Sequence, residues 1–188
     1  MLAALRRATA ARHAELDRTL AIGGAAPGLH DYRDHLAMLH AWLVPLEHWL
    51  AGYADGPQGP AAPPAVRRSL LIEADLAHPC MPPAAGAPAP QAPWPAGASA
   101  AYRWGVSYVI EGAQLGGAVL YQRLAGPLAP HPLDYLRGAP DGPGPRWRSF
   151  MLALRREVTD AHQIDAACAG ACAAFDRILA LRAHALPN

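Results

Sequence analysis

Leu2, Leu5, Thr9, Leu16 and Leu20 recur at steps of three, four and seven, the spacing of a helix that turns one stripe inward. This predicts a first helix over residues 2–21. Gly23, Gly24, Pro27 and Gly28 break the pattern. Tyr32, Leu36, Leu39, Leu43, Leu46 and Leu50 then resume it in a second helix, with a kink expected near Pro45. Past the Pro/Gly segment from Gly56 to Pro64, Val66, Leu70 and Leu76 predict a third helix of about four turns, ended by Pro79.

The most apolar stretch runs from Ser99 to Arg123, with Glu111 as its one charge between Arg103 and Arg123, and it is expected to form a central helix. A Gly/Pro segment from Gly126 to Pro145 follows. Trp147, Phe150, Leu154 and Val158, and then Ile164, Cys168, Phe175, Leu179 and Leu186, predict two closing helices. β-Branched residues are sparse and scattered, and no alternating strand pattern occurs. The expectation is an all-α, single-domain bundle of about six helices over residues 1–188, with Pro/Gly/Ala-rich loops at about 55–64, 79–98 and 126–145. No internal repeat is visible.

Composition narrows the function classes. The 188 residues are 52% hydrophobic and 16% charged, enough for one sizeable core. A formal net charge of +1 lacks the field on which phosphate-tracking nucleic-acid binders and polybasic membrane modules depend, so neither partner is expected. All 16 basic residues are Arg, beside 43 Ala and 20 Pro, so the absence of Lys reads as a general compositional bias. Cys80, Cys168 and Cys172 form no even disulfide framework. The first residues contain no continuous apolar secretory stretch, and the uncharged run from Pro79 to Tyr102 carries seven prolines by Pro95, which a membrane-spanning helix would not. A cytoplasmic location is expected.

Two constellations carry candidate chemistry. On the first helix Arg6, Thr9, His13 and Asp17 fall at steps of three and four, which puts a cation, an imidazole and a carboxylate on one face. A carboxylate one turn beyond a histidine can hold its second ring nitrogen, as partners of metal-ligating histidines do. Equally, amphipathic helices present such surface pairs freely. The second constellation is the run Tyr108-Val109-Ile110-Glu111-Gly112-Ala113-Gln114-Leu115-Gly116-Gly117. Each glycine costs a helix interior roughly 1 kcal/mol relative to Ala, so something compensates. Gly112 and Gly116 bare one strip of backbone, either for a flat ligand or for close packing of another helix.

Other positions read more plainly. His35, His40 and His48 are spaced by five and eight, which does not form one metal-binding face, so they are ordinary polar positions. Cys168 and Cys172 lie one turn apart without a second ligand pair and read as small core residues. Trp49 and Trp147 read as core anchors.

The run Arg6 to Asp17 together with the Tyr108 to Gly117 run resembles haem oxygenases, most closely the bacterial branch associated with bacteriophytochromes. The resemblance extends through Pro45-Leu46-Glu47, Arg67 to Leu76, Arg146 to Phe150 and Ala174-Phe175. It implies that His13 ligates haem iron, that Gly112 and Gly116, with Gly117, form the distal wall, and that Asp17 steadies the histidine. Arg6, Tyr108 and Arg146 are implied partners of the haem propionates, Thr9 a haem neighbour and Phe175 an aromatic lining the pocket. The implied reaction uses haem as cofactor and substrate, with dioxygen, and yields biliverdin, carbon monoxide and ferrous iron. Electrons come from an external donor, a ferredoxin or a reductase, because the chain has no flavin or nicotinamide fingerprint. A bacteriophytochrome receiving biliverdin is the implied acceptor. Where close relatives carry Ser and others Asp, this chain has Ala113, with no side-chain oxygen to order distal water. That residue keeps a haem-binding protein of the same fold without efficient turnover as the alternative.

Overall fold

The structure, a computed structural model, describes residues 1–83 and 91–184. These residues are helical and contain no strand. The elements are α1 (Leu2–Thr19), α2 (Leu29–Ala51), α3 (Arg68–Leu76), α4 (Ala100–Leu124), α5 (Asp134–Arg137), α6 (Gly144–Glu157) and α7 (Ala161–His184), with single 3-10 turns at Ala21–Gly23 and Gly56–Gln58. The six longer helices are those the periodicity predicts, and α5 is a one-turn addition within the expected 126–145 loop. Leu186, part of the predicted last stripe, lies outside the described residues, as does the middle of the 79–98 loop.

α4 and α7 form the central pair, and the reason is the small residues where they cross. Gly105 presses its Cα against α7 so closely that a Cβ there would stand 1.8 Å from the Ala167 carbonyl oxygen, and one on Gly170 would stand 2.0 Å from that of Tyr102. Ala167, Ala171 and Ala174 are fully buried along the α7 side. Backbones this close leave no room for a longer side chain. α7 also packs on α1 and α2, while α1 and α4 are not closely packed on each other. α2 contributes Tyr32, Leu36, Trp42, Leu43 and Leu46 to the core, and the Trp42 indole donates to the Ala174 carbonyl at 3.2 Å.

Helix boundaries follow from capping. α2 begins before Tyr32 because the Asp31 carboxylate accepts from the Gly28 amide at 2.8 Å, and the helix runs on through Pro45 to Ala51. α3 is shorter than its predicted four turns. Glu47 of α2 accepts from the amides of Arg68 and Ser69 at 2.7 and 3.2 Å and from the Ser69 hydroxyl at 2.6 Å. That carboxylate starts the helix at Arg68 and leaves Val66 outside it, exposed. The Ser99 hydroxyl caps α4 by accepting from the Tyr102 amide.

A second carboxylate, this one buried, makes α5. Asp75 accepts from the amides of Asp134 and Tyr135, at 2.9 Å each, and from the Tyr32 hydroxyl at 2.5 Å. Leu133, just ahead, holds a left-handed conformation at φ 53°, and its amide donates to His131 Nδ1. Asp75 thus ties α2, α3 and α5 together, and α5 in turn backs α4.

Candidate functional site at the α1 and α4 faces

His13 projects from α1 with its Nδ1 2.8 Å from Asp17 Oδ2, both side chains about 63% exposed. The pair is on the surface, its two members one turn apart on one helix face. Its geometry makes Nδ1–H the donor to Asp17 and leaves the Nε2 lone pair free to bind a metal. The ring sits 5.8 Å from that of Phe175, tilted by 58°, and Phe175 is buried on α7. Beside this contact Arg12 grips Asp176 with both arms of its guanidinium, at 2.6 and 3.1 Å, and so sets the register of α1 on α7 next to His13.

Arg6, on the same face of α1, reaches Tyr108 of α4. Burial pushes the Tyr108 hydroxyl up from its usual range, and the Arg6 guanidinium opposes that shift by charge and by hydrogen bonding. One and two turns beyond Tyr108 come Gly112 and Gly116. A Cβ on Gly116 would meet nothing within 4 Å, and one on Gly112 would make only van der Waals contact, 3.8 Å, with the Trp147 ring. Gly116 is therefore not packed against another helix, and Gly112 faces only the Trp147 ring of α6 at ordinary contact distance. Close packing on α4 belongs to Gly105, a residue that the sequence reading did not single out. Gly117 looks the other way, where a Cβ would stand 3.8 Å from Leu136 of α5.

A family model described as Heme oxygenase matches residues 1–182. A heme oxygenase of Xanthomonas campestris pv. campestris (strain 8004) is 34% identical over 146 residues, covering 76% of this chain and 81% of that protein. The chain belongs to the haem oxygenase family. Membership makes it an oxidoreductase whose substrate is haem and which draws electrons from a donor. No helix among the described residues is long and apolar enough to cross a membrane.

In this haem oxygenase the other expected site residues are placed as follows. Thr9 is 4% exposed and its hydroxyl donates to the Leu5 carbonyl of its own helix at 2.9 Å, so it serves the α1 packing face. Arg146 differs from expectation. Its Nε and Nη2 each lie 2.8 Å from an oxygen of Glu111, and its Nη1 donates to the Pro64 carbonyl. The carboxylate it clamps is a side chain of this chain, a distinction that Arg's fitness for any carboxylate cannot reveal from sequence. Arg68 Nη2 completes the cluster at 2.8 Å from Glu111.

Glu111 is the residue that sequence reasoning missed, although a lone charge in the most apolar helix was a signal. It is 7% exposed. Burial disfavours its charge, but the hydrogen bonds and charges of Arg146 and Arg68 outweigh that and hold its carboxyl below the usual range. The cluster floors a groove of about 240 Å³ lined also by Gln114, Leu136 and Arg137. That groove lies around α4 from the glycine strip and is too small for a macrocycle. Trp147, expected as a core anchor, is partly exposed and tilts against Tyr108 with centroids 5.6 Å apart.

Among the other candidates, His40 pairs with Glu73 at 3.1 Å, whereas His35 buries its Nδ1 without a partner. Cys172 donates weakly to the Ala8 carbonyl. Among the described residues no three His, Cys, Asp or Glu side chains are grouped to hold a metal ion.

Proposed function

We propose that this protein opens haem oxidatively to biliverdin, carbon monoxide and ferrous iron, with dioxygen as co-substrate, and that haem lies between the His13 face of α1 and the glycine strip of α4. The observation that carries this reading is the open space before Gly116: the helix gives up a side chain there and no neighbouring helix takes its place. The residues fit the group. His13 offers a free Nε2 on a ring steadied by Asp17, and a planar macrocycle needs bare backbone opposite. When bound, haem supplies both the iron that activates dioxygen and the ring that is opened.

The chain's own residues bind and orient. Asp17 fixes the His13 tautomer and ring orientation. Phe175 packs against the imidazole, and Arg6 with Tyr108 is placed to receive a propionate and so set the rotation of the ring in its plane. Gly112 and Gly116 bring the α4 backbone close to the distal face without presenting an acid. Arg146 acts indirectly, through Glu111. We assign the reaction to the cytoplasm, with a ferredoxin or reductase as donor and a bacteriophytochrome as acceptor of the bilin.

Hemin titration tests the binding step: the wild type is expected to develop an imidazole-ligated Soret band that His13→Ala loses. An unchanged iron–imidazole Raman mode in His13→Ala would overturn the assignment. Turnover is tested with a ferredoxin system in the presence of catalase, with biliverdin and trapped carbon monoxide as the expected products. Ala113 favours a second reading, haem binding without efficient turnover, because it has no oxygen to order distal water. Stable oxygenated haem with no bilin after donor addition would establish that reading.

A further inference from the structure

We propose that Glu111, held between Arg68 and Arg146, is a positioning residue that fixes the glycine segment of α4 against haem from the rear. The inference rests on the reading of Gly112 and Gly116 as the distal wall.

The segment from Gly112 to Gly117 is the weakest part of α4. It lacks three side chains, and Gly116 meets no neighbour in front. Each glycine also lowers the intrinsic helix stability. Such a stretch, left alone, would fluctuate, and a wall that must hold a ligand at a fixed angle cannot.

Its supports lie behind it, at regular intervals. Glu111 receives Arg146 from α6 and Arg68 from α3, all at 2.8 Å. Gln114, one turn on, donates to the Tyr135 hydroxyl of α5 at 3.4 Å. Gly117, a further turn on, faces Leu136 of α5, which a Cβ there would touch at 3.8 Å. These three positions form one row at i, i+3 and i+6, on the side of α4 away from Gly116.

Glu111 is the strongest of the three supports. Its two partners come from different elements, and Arg146 is itself tied to the loop by the Pro64 carbonyl. The residues that follow two of the three members of the cluster reach the glycine strip: Gly112 follows Glu111, and Trp147, which follows Arg146, tilts against Tyr108 and stands where a Cβ on Gly112 would touch it at 3.8 Å. A shift of the ion-pair cluster is thus transmitted to the distal wall directly. The groove beside the cluster leaves Arg146 partly exposed, so this partner can be exchanged while the buried Arg68 and Glu111 pair stays intact.

The test uses Arg146→Gln, Arg146→Lys and Glu111→Gln in the full chain. Hydrogen exchange of the haem-free protein is read first. Arg146→Gln is expected to speed amide exchange in peptides covering residues 108–120 by roughly tenfold while α2 and α7 keep their protection. With haem bound, the carbon monoxide stretching band of the ferrous complex is expected to broaden or shift, and the bilin product to become a mixture of ring-opening isomers. Arg146→Lys is expected to restore part of each change. If Glu111→Gln does not fold, the two Arg146 variants carry the test alone. A variant that only lowers the melting temperature, with wild-type exchange at 108–120, carbon monoxide band and isomer ratio, overturns this inference and leaves the proposed function standing. A wild type that binds no haem overturns both.

Discussion

Gly105 and Gly116 stand on the same helix, yet a methyl group added at each has opposite consequences. At Gly105 it collides with backbone of α7, which cannot yield without separating the central pair. Gly105→Ala is expected to destabilise by about 3 kcal/mol, the upper range for overpacking, read as a lower urea midpoint. At Gly116 the methyl meets open space and improves helix propensity, so Gly116→Ala is expected to stabilise by up to about 1 kcal/mol. It is also expected to weaken haem binding, because the methyl stands where the macrocycle approaches. Stability gained with affinity lost would separate a ligand strip from a packing seam, and wild-type haem affinity in Gly116→Ala would show that the strip has another purpose. The sequence alone could not make this distinction. Both glycines interrupt an apolar helix, and only the position of Ala167 shows which one is packed. Arg146 teaches the same lesson, since its chemistry predicts a carboxylate partner without saying whose.

At the scale of elements, what the sequence made legible was what depends on local periodicity. The longer helices have leucine and aromatic stripes, and their cores follow from them. α5 and the start of α3 were not legible, because each is made by a carboxylate distant in sequence: Asp75 for α5 and Glu47 for α3. Four residues inside a Gly/Pro-rich loop give no periodic signal, and an isolated turn of helix is unstable without outside partners. Asp75→Ala removes the acceptor for two amides and for the Tyr32 hydroxyl at once, all close to buried side chains. We expect a loss of about 3 kcal/mol in urea unfolding, on the scale of 1–3 kcal/mol for each stranded buried group. Tyr32→Phe, which removes one donor and strands nothing comparable, is expected to cost about 1 kcal/mol. Equal costs for the two variants would mean that α5 does not depend on the cap.

At the scale of the whole molecule, the partly buried His35 and the buried Glu111 affect acid stability in sequence as pH falls. Burial pushes His35 down to about 4 from 6.5, and its Nδ1 has no partner. Between those values the unfolded chain takes up a proton at this site and the folded chain does not. Stability therefore falls as pH drops from about 6.5 towards about 4, by at most about 3 kcal/mol, given that part of the ring's surface is exposed. Glu111 has the other sign of charge and acts later. Its folded carboxyl lies below the usual 4.5 because Arg146 and Arg68 outweigh its burial, so its contribution is present above that value and is lost only as pH falls through the lower, folded one. Once Glu111 is protonated, Arg68 is left buried without its counter-charge, a costly state. Urea midpoints measured from neutral pH downward are expected to decline in two stages. His35→Gln is expected to flatten the first and leave the second, and Glu111→Gln, where it folds, to do the reverse. Parallel curves for wild type and His35→Gln would show that the imidazole is hydrated in the folded protein. Because the second stage releases the tether behind the glycine strip, amide protection over residues 108–120 of the haem-free protein is expected to fall with it and to be insensitive to His35→Gln. Protection lost there already in the first stage would place the acid-sensitive step elsewhere than the Glu111 cluster.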